Sequence, residues 1–176
     1  PENLVSLGNL GRKTFLHAFL NKIFDWAYGT ADSCISIGED MRQVVLRKTK
    51  GQNFSSLITN WADVDEVKPL PKVDTNLFKE MESSLTGKIV FQFAGNLGKA
   101  QGLDNLMNAI DMVKNEDCKF LFVGAGAKKN DIESFAERHE NTVYAGFRSR
   151  LNQNDFLNAC DIGIVTLADG MYGLGV

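Results

Sequence analysis

Four apolar runs spaced by helical patterns leave the second half of this chain few ways to fold. KIVFQFAG (88–95), CKFLFVGAG (118–126), NTVYAGF (141–147) and DIGIVTL (161–167) each run into a glycine-bearing loop. The first is continuous rather than alternating, which marks a parallel strand covered on both faces. Between the runs lie amphipathic stretches. LDNLMNAIDMVK (103–114) puts Leu103, Leu106, Met107, Ile110 and Val113 on one helical face. NDIESFAERH (130–139), with Asn130 and Glu133 spaced as a capping box, and LNQNDFLNAC (151–160) read as the next two helices. Strands joined through helices need crossovers, and crossovers are right-handed. The expected fold is α/β: a Rossmann-like, doubly wound parallel sheet with helices on both faces.

The first part of the chain repeats this logic once. TFLHAFLNKIFDWAY (14–28) gathers Phe15, Leu16, Phe19, Leu20, Ile23, Phe24 and Tyr28 on roughly one helical face, and Gly29 stops it. That face is expected to pack on a core, a membrane surface being the alternative. ADSCISIG (31–38) reads as a strand and EDMRQVVLRKTKG (39–51) as a helix, with Glu39 and Asp40 in its first turn and Arg47, Lys48 and Lys50 in its last. FSSLITNWAD (54–63) is a second strand, so residues 31–63 form one β-α-β unit. In the polar segment 65–88, Pro69 and Pro71 interrupt regular structure, leaving a linker with one short helix at 76–82. The expected organisation is the tail of an N-terminal domain (1–64), a linker (65–87) and the first part of a C-terminal domain (88–176). A doubly wound domain continues beyond a loop such as GMYGLGV (170–176), and the chain starts on Pro1, so it reads as a piece of a longer protein.

Composition narrows the function. A formal charge of −3 with no basic stripe argues against nucleic acid as a partner. The short clusters Lys128-Lys129 and Arg148/Arg150 read as solvated surface. Cys34, Cys118 and Cys160 stand at no ligand spacing, without CxxC or HExxH, so they read as buried free thiols of a reducing compartment and no metal site is expected. No run approaches the ~20 apolar residues of a membrane span. His17 and His139 read as structural or surface groups. Residues 141–176 contain no glutamate, which excludes a paired-carboxylate hydrolase site there.

In a parallel α/β sheet, ligands bind where strands end and helices begin. The loops at that edge are GNLGKAQG (95–102), GAGAKKN (124–130), GFRSRLN (146–152) and LADGMYGLGV (167–176), all carrying glycine. Glycine admits close backbone approach, and helix N-termini offer free N–H groups to an anion. No GxxxxGK[ST] motif is present, and Lys129 stands where a third dinucleotide-binding glycine belongs, giving a dehydrogenase little support. A non-catalytic nucleotide-binding or flavodoxin-like module and a scaffold domain both remain compatible with these loops.

The order of motifs then carries a resemblance. A Gly-x-Leu loop with a QGL helix start, a strand ending VGAG, the stretch VYAGF and the run ACDIGI follow one another; ADSCISIGEDM and ITNWADVDEVKPLP precede them. This succession resembles the retaining family 4 glycosyltransferases, and GNLGKAQGL resembles the subgroup of capsule, exopolysaccharide and O-antigen assembly. The resemblance implies the GT-B fold, with two Rossmann-like domains. It implies a nucleotide diphosphate sugar donor of UDP or GDP type, a hexose-type sugar, and a saccharide or polyprenyl-diphosphate-linked acceptor. It further implies a cytoplasmic enzyme, peripheral at the inner face of the membrane, without a metal or other cofactor. Site residues carry over by position. Gly95, Asn96, Leu97 and Gly98 approach the diphosphate. Asn96 stands in the family's Arg slot and Gln101 in its Lys slot, making Lys99 the candidate cation. Gly124 and Gly126 border the nucleotide, the backbone around Phe147 and Arg148 matches the base-reading stretch, and Gly173, Leu174 and Gly175 match the loop near the sugar and β-phosphate. The acidic E-x7-E region and the catalytic groups are expected outside this chain, so the piece alone is expected to be inactive. An open sheet edge invites two copies to associate.

Overall fold

The computed structural model describes Val5, Gly11 and residues 14–51, 54–113 and 117–169. The chain divides into two compact units, Pro1–Trp61 with Asp169–Val176, and Ala62–Ala168.

In the first unit, α1 (Phe15–Gly29) leads to β1 (Ser33–Ser36), α2 (Glu39–Lys48) and β2 (Phe54–Leu57). The two strands pair in parallel, Ser33 opposite Phe54 and Ser36 opposite Leu57, with α2 as the crossover. The Thr14 hydroxyl accepts the His17 N–H and caps α1 (3.2 Å). In the first turn of α2, Glu39 accepts hydrogen bonds from Gln43 (2.6 Å) and Arg42 (3.3 Å). These two partners, Gln43 first, hold its carboxyl below the ordinary range. The apolar face of α1 departs from expectation. It has no buried residue, and Phe15 and Trp26 are 88% and 70% exposed. A two-stranded sheet is too narrow to cover it, and α1 meets α2 at its polar side, where Lys48 pairs with Asp25 (3.2 Å).

The second unit holds α3 (Asn76–Glu80), α4 (Glu82–Leu85), β3 (Ile89–Asn96), α5 (Leu103–Met112), β4 (Cys118–Ala125), α6 (Lys129–Arg138), β5 (Thr142–Tyr144), α7 (Gln153–Leu157) and β6 (Ile162–Gly163), with short 3-10 turns at Lys72–Asp74, Lys99–Gln101 and Arg150–Asn152. The strands form one parallel sheet in the order β5-β4-β3-β6. Ile89 lies opposite Cys118 and Asn96 opposite Ala125, so β3 and β4 end level. Successive residues of β4, Leu121, Phe122 and Val123, are all buried, as a strand covered on both faces requires. On one face Phe93, Phe122, Leu106, Ile110, Ile132 and Phe135 pack under α5 and α6. On the other, Val90, Leu121 and Val123 pack with Leu77, Phe78, Leu85 and Ala159. The apolar residues of α3 and α4 therefore fill the second layer, although the sequence suggests only one short helix there.

The capping box expected at Asn130 and Glu133 is not formed. Helix α6 starts at Lys129 with Lys128 as its N-cap, because the Lys128 N–H is taken by the Leu97 carbonyl (2.8 Å) across the strand ends. At the far end of α6, His139 stacks on Phe135 (3.8 Å between ring centres) and its Nε2 meets the Asp111 carboxylate at 2.6 Å, a structural role as expected. All three cysteines are free: Cys118 is buried, and Cys34 and Cys160 are half-buried. Burial, helped by the neighbouring Asp161 carboxylate, pushes the Cys160 thiol up.

Polar side chains of α7 and of its C-cap, Asn158, grip the backbone of residues 68–77. Asn154 Oδ1 accepts the Lys68 N–H (2.8 Å), Asn158 Oδ1 accepts the Leu70 N–H (2.8 Å), and Asn158 Nδ2 donates to the Lys68 carbonyl (2.9 Å). Asp155 accepts the first N–H groups of α3, from Asn76 (2.5 Å) and Leu77 (3.0 Å), capping that helix from another element. Asp155→Ala is expected to cost about 1–2 kcal/mol, the usual worth of an N-cap. Urea denaturation measures it, and an unchanged midpoint would refute the capping role.

Candidate functional site

The carboxyl ends of β3 and β4 carry the glycine loops side by side. The Leu97 N–H donates to the Ala125 carbonyl (2.9 Å), and the Lys129 N–H to the Gly126 carbonyl (3.1 Å). Thr166 Oγ1 donates to the Gln101 carbonyl (2.6 Å), and the Ala168 N–H to that of Ala100 (2.8 Å), which ties the segment after β6 to the same loop. Leu97 is a fully buried anchor whose N–H is already spent. Among the described residues no hydrogen bond takes the N–H of Gly98 or Lys99, and the Lys99 side chain is exposed without an ion pair. Adjacent unpaired N–H groups beside a mobile ammonium suit an oxyanion. Asn96 is exposed, and its side chain lies against Gly98 and Gly126.

Gly124 and Gly126 are required here by the packing itself. A Cβ on Gly124 (φ +143°) would stand 1.8 Å from the Gly95 carbonyl oxygen, and one on Gly126 (φ +157°) 2.5 Å from that of Leu97. Both obstacles are backbone and cannot swing aside. At Gly95 a Cβ would meet nothing within 4 Å.

The lysine pair at 128–129 divides. Lys128 Nζ sits between Asp104 of α5 (2.8 Å) and Asp131 of α6 (2.9 Å), and these hydrogen bonds, Asp104 first, raise its pKa. It is a strut between the two loops, already neutralised. Lys129 is exposed and lines an open cavity of about 390 Å³ with Ala125, Glu133, Tyr144, Ala145, Gly146 and Phe147. Tyr144 Oη donates to the Gly124 carbonyl (2.9 Å), fixing one wall. Phe147 is 71% exposed. Arg148 turns to α3, where Nη2 meets Glu80 Oε2 at 2.7 Å. Sequence reasoning did not count Lys129, Glu133 and Tyr144 among the candidate site residues. The spacing of Lys129 and Glu133, one helical turn apart at the start of α6, was the available signal. Gly173, Leu174 and Gly175 lie outside the described residues.

A second cleft of about 550 Å³ between Glu66, Val67, Arg150, Leu151, Gln153 and Asn154 includes none of the residues expected at the site. Among the described residues no group of three His, Cys, Asp or Glu could hold a metal ion, and no helix is long and apolar enough to cross a membrane.

Residues 88–176 match the family described as "Glycosyl transferases group 1". Over its whole length the chain is 38% identical to the "Probable glycosyltransferase WbjE" of Pseudomonas aeruginosa, of which it spans 44%. It is 23% identical over 107 residues, 61% of this chain and 26% of the relative, to WcaI of Escherichia coli (strain K12), named for colanic acid biosynthesis. The chain thus spans less than half the length of both relatives. Among solved structures it resembles a sucrose-phosphate synthase from Thermosynechococcus elongatus (TM-score 0.68, 14% identity, 84% of this chain and 38% of that one). It also resembles Anabaena Alr3699/HepE in complex with UDP and glucose (TM-score 0.67, 16% identity, 85% of this chain and 42% of that one). These likenesses establish the fold, parallel α/β layers of the GT-B type.

Proposed function

The chain belongs to the glycosyl transferases group 1 family, and we propose that it supplies the donor-binding part of an enzyme that moves a hexose-type sugar from a nucleotide diphosphate sugar to a saccharide or lipid-linked acceptor in surface polysaccharide assembly. The observation that carries this reading is the loop after β3: its Gly98 and Lys99 N–H groups have no partner among the described residues, and the exposed Lys99 side chain stands beside them. The diphosphate lies over Gly95, Gly98 and Lys99. Asn96 and Gln101 flank it, Leu97 anchors the loop from beneath, and Gly124 and Gly126 keep the neighbouring strand end close. The nucleoside lies toward Phe147, whose ring faces solvent at the rim of the cavity. Gly173, Leu174 and Gly175 are proposed to approach the sugar and β-phosphate.

Residues 1–64 are assigned to the N-terminal domain, 65–87 to the crossover and 88–176 to the nucleotide-sugar domain. The division of compact units between Trp61 and Ala62 supports a boundary in this region. The donor is of UDP type, as in Alr3699/HepE with UDP and glucose, with GDP as the other candidate. No metal or cofactor is assigned to the transfer. An acceptor on a polyprenyl diphosphate implies a cytoplasmic enzyme, peripheral at the inner membrane face, and the β6 edge of the sheet is where two copies would pair.

A thermal-shift series on the full-length protein with UDP, GDP, NAD and FMN tests the reading. A ~10 µM site with millimolar ligand gains about 2.7 kcal/mol, a readily measured rise in melting temperature. UDP or GDP alone is expected to stabilise; stabilisation by NAD or FMN alone overturns the assignment. Lys99→Ala is expected to weaken the nucleotide diphosphate by about three- to tenfold, the worth of one partly solvated charge contact. Equal affinity would remove that side chain from the site.

A further inference from the structure

We infer that Glu80 of α3 is a positioning residue for the loop after β5, and through it for the nucleoside end of the donor site; the inference rests on the functional reading above. The sheet holds the start of that loop. The Ala145 N–H donates to the Phe122 carbonyl (2.9 Å), and the Gly146 carbonyl accepts the Gly124 N–H (2.9 Å). Further along, among the described residues Ser149 bonds only to its near neighbours Leu151 and Asn152. Among the described residues, the one long-range tether of residues 147–149 is the Arg148–Glu80 pair, at 2.7 Å across 68 positions of sequence.

Phe147 lies between these two attachments, its ring at the rim of the cavity. The Arg148 side chain is only 26% exposed, and its Nε is buried with no hydrogen-bond partner among the described residues. Among the described residues, the Glu80 carboxylate is its one counter-charge. Glu80 itself stands on a fixed base, because Leu77 and Phe78 of the same helix are buried and Thr75 caps it locally, Oγ1 accepting the Phe78 N–H (3.2 Å). Removing the carboxylate leaves a mostly buried guanidinium uncompensated. The side chain then turns outward to water and draws Phe147 away from its place.

The test uses the full-length protein with Glu80→Gln, and with the exchange pair Glu80→Arg plus Arg148→Glu. UDP and GDP affinity is measured by calorimetry, loop mobility by hydrogen exchange of the 145–150 peptide, and donor and acceptor kinetics in parallel. Glu80→Gln is expected to weaken the bound nucleotide and raise the donor KM by about three- to tenfold, as a half-exposed ion pair allows. Exchange of the 145–150 peptide rises while kcat and the acceptor KM hold, and the exchange pair recovers affinity. Unchanged nucleotide affinity in Glu80→Gln overturns the role of Glu80 and leaves the site reading standing. A uniform loss of kcat and of both affinities, with exchange raised throughout the unit, marks general destabilisation and overturns it as well. Failure of the wild-type protein to bind either nucleotide overturns the site reading itself, and the role of Glu80 with it.

Discussion

Gly124→Ala is expected to destabilise the second unit severely rather than merely weaken a ligand. The added Cβ would stand 1.8 Å from the Gly95 oxygen, and Gly95 is the register partner of Gly124 across the β3–β4 ladder. Relief requires the two central strands to part where they also hold the Gly124–Gly146 and Tyr144–Gly124 hydrogen bonds. A backbone clash in a central strand belongs to the rare class of substitutions costing about 4 kcal/mol or more. An ordinary domain has only about 5–15 kcal/mol of stability, so the loss runs from about a quarter of it upward. Gly95→Ala provides the contrast, since its Cβ meets nothing within 4 Å and only its φ of +155° is strained. Soluble yield and urea midpoints of the two variants decide the matter; equal midpoints would defeat the argument.

These two glycines also show where reading the sequence reached its end. The strand-helix alternation was legible because parallel strands buried on both faces are written as unbroken apolar runs, and Leu121, Phe122 and Val123 bear that out. The loops at the strand ends were legible as a class. The reason for each glycine was not: close approach of a strand and close approach of a ligand ask for the same residue. The fates of Lys128 and Lys129 were hidden for a similar reason. Lys128 is claimed by Asp104, 24 positions earlier, and nothing local announces that pairing. Helix α4 escaped because Leu85 sits among polar residues behind two prolines. The apolar face of α1 was visible in its period, but a period names a buried face without naming what buries it.

The second large effect is expected at the opposite end of the sheet. Asp161 Oδ2 accepts the Val90 N–H (2.7 Å) and the Lys72 ammonium (2.5 Å), and Lys72 also donates to the Lys88 carbonyl (2.9 Å). One carboxylate thus clips together the starts of β3 and β6 and the turn at Lys72–Asp74. Burial works against its charge, but Lys72 and the Val90 N–H outweigh burial and hold the carboxyl below the ordinary range. Asp161→Ala leaves the Val90 N–H without an acceptor and is expected to cost about 1–3 kcal/mol: about 1–2 for the unmade hydrogen bond and up to about 1 for a partly exposed ion pair. Asp161→Asn keeps an acceptor and is expected to lose only the latter. The pH dependence has a definite sign. The unfolded carboxyl titrates near ~3.9 and the folded one lower, so the contribution is complete above that value and fades as pH falls through the folded pKa. Wild type and Asp161→Asn should therefore differ in urea midpoint at pH 7 and converge in stronger acid. A gap that does not narrow as pH falls below the ordinary carboxyl range would refute the clip.

The grip of α7 on residues 68–77 has a consequence for how this segment tolerates change. Asn154, Asp155 and Asn158 hold main-chain N–H and carbonyl groups, which every residue but proline supplies in full. Lys68 and Leu70 can therefore be exchanged for many other residues while the strap stays in place. Its length is fixed instead. The three side chains measure out the distance from Lys68 to Leu77, and one added or deleted residue would put those main-chain groups out of step with the amides and carboxylate that receive them.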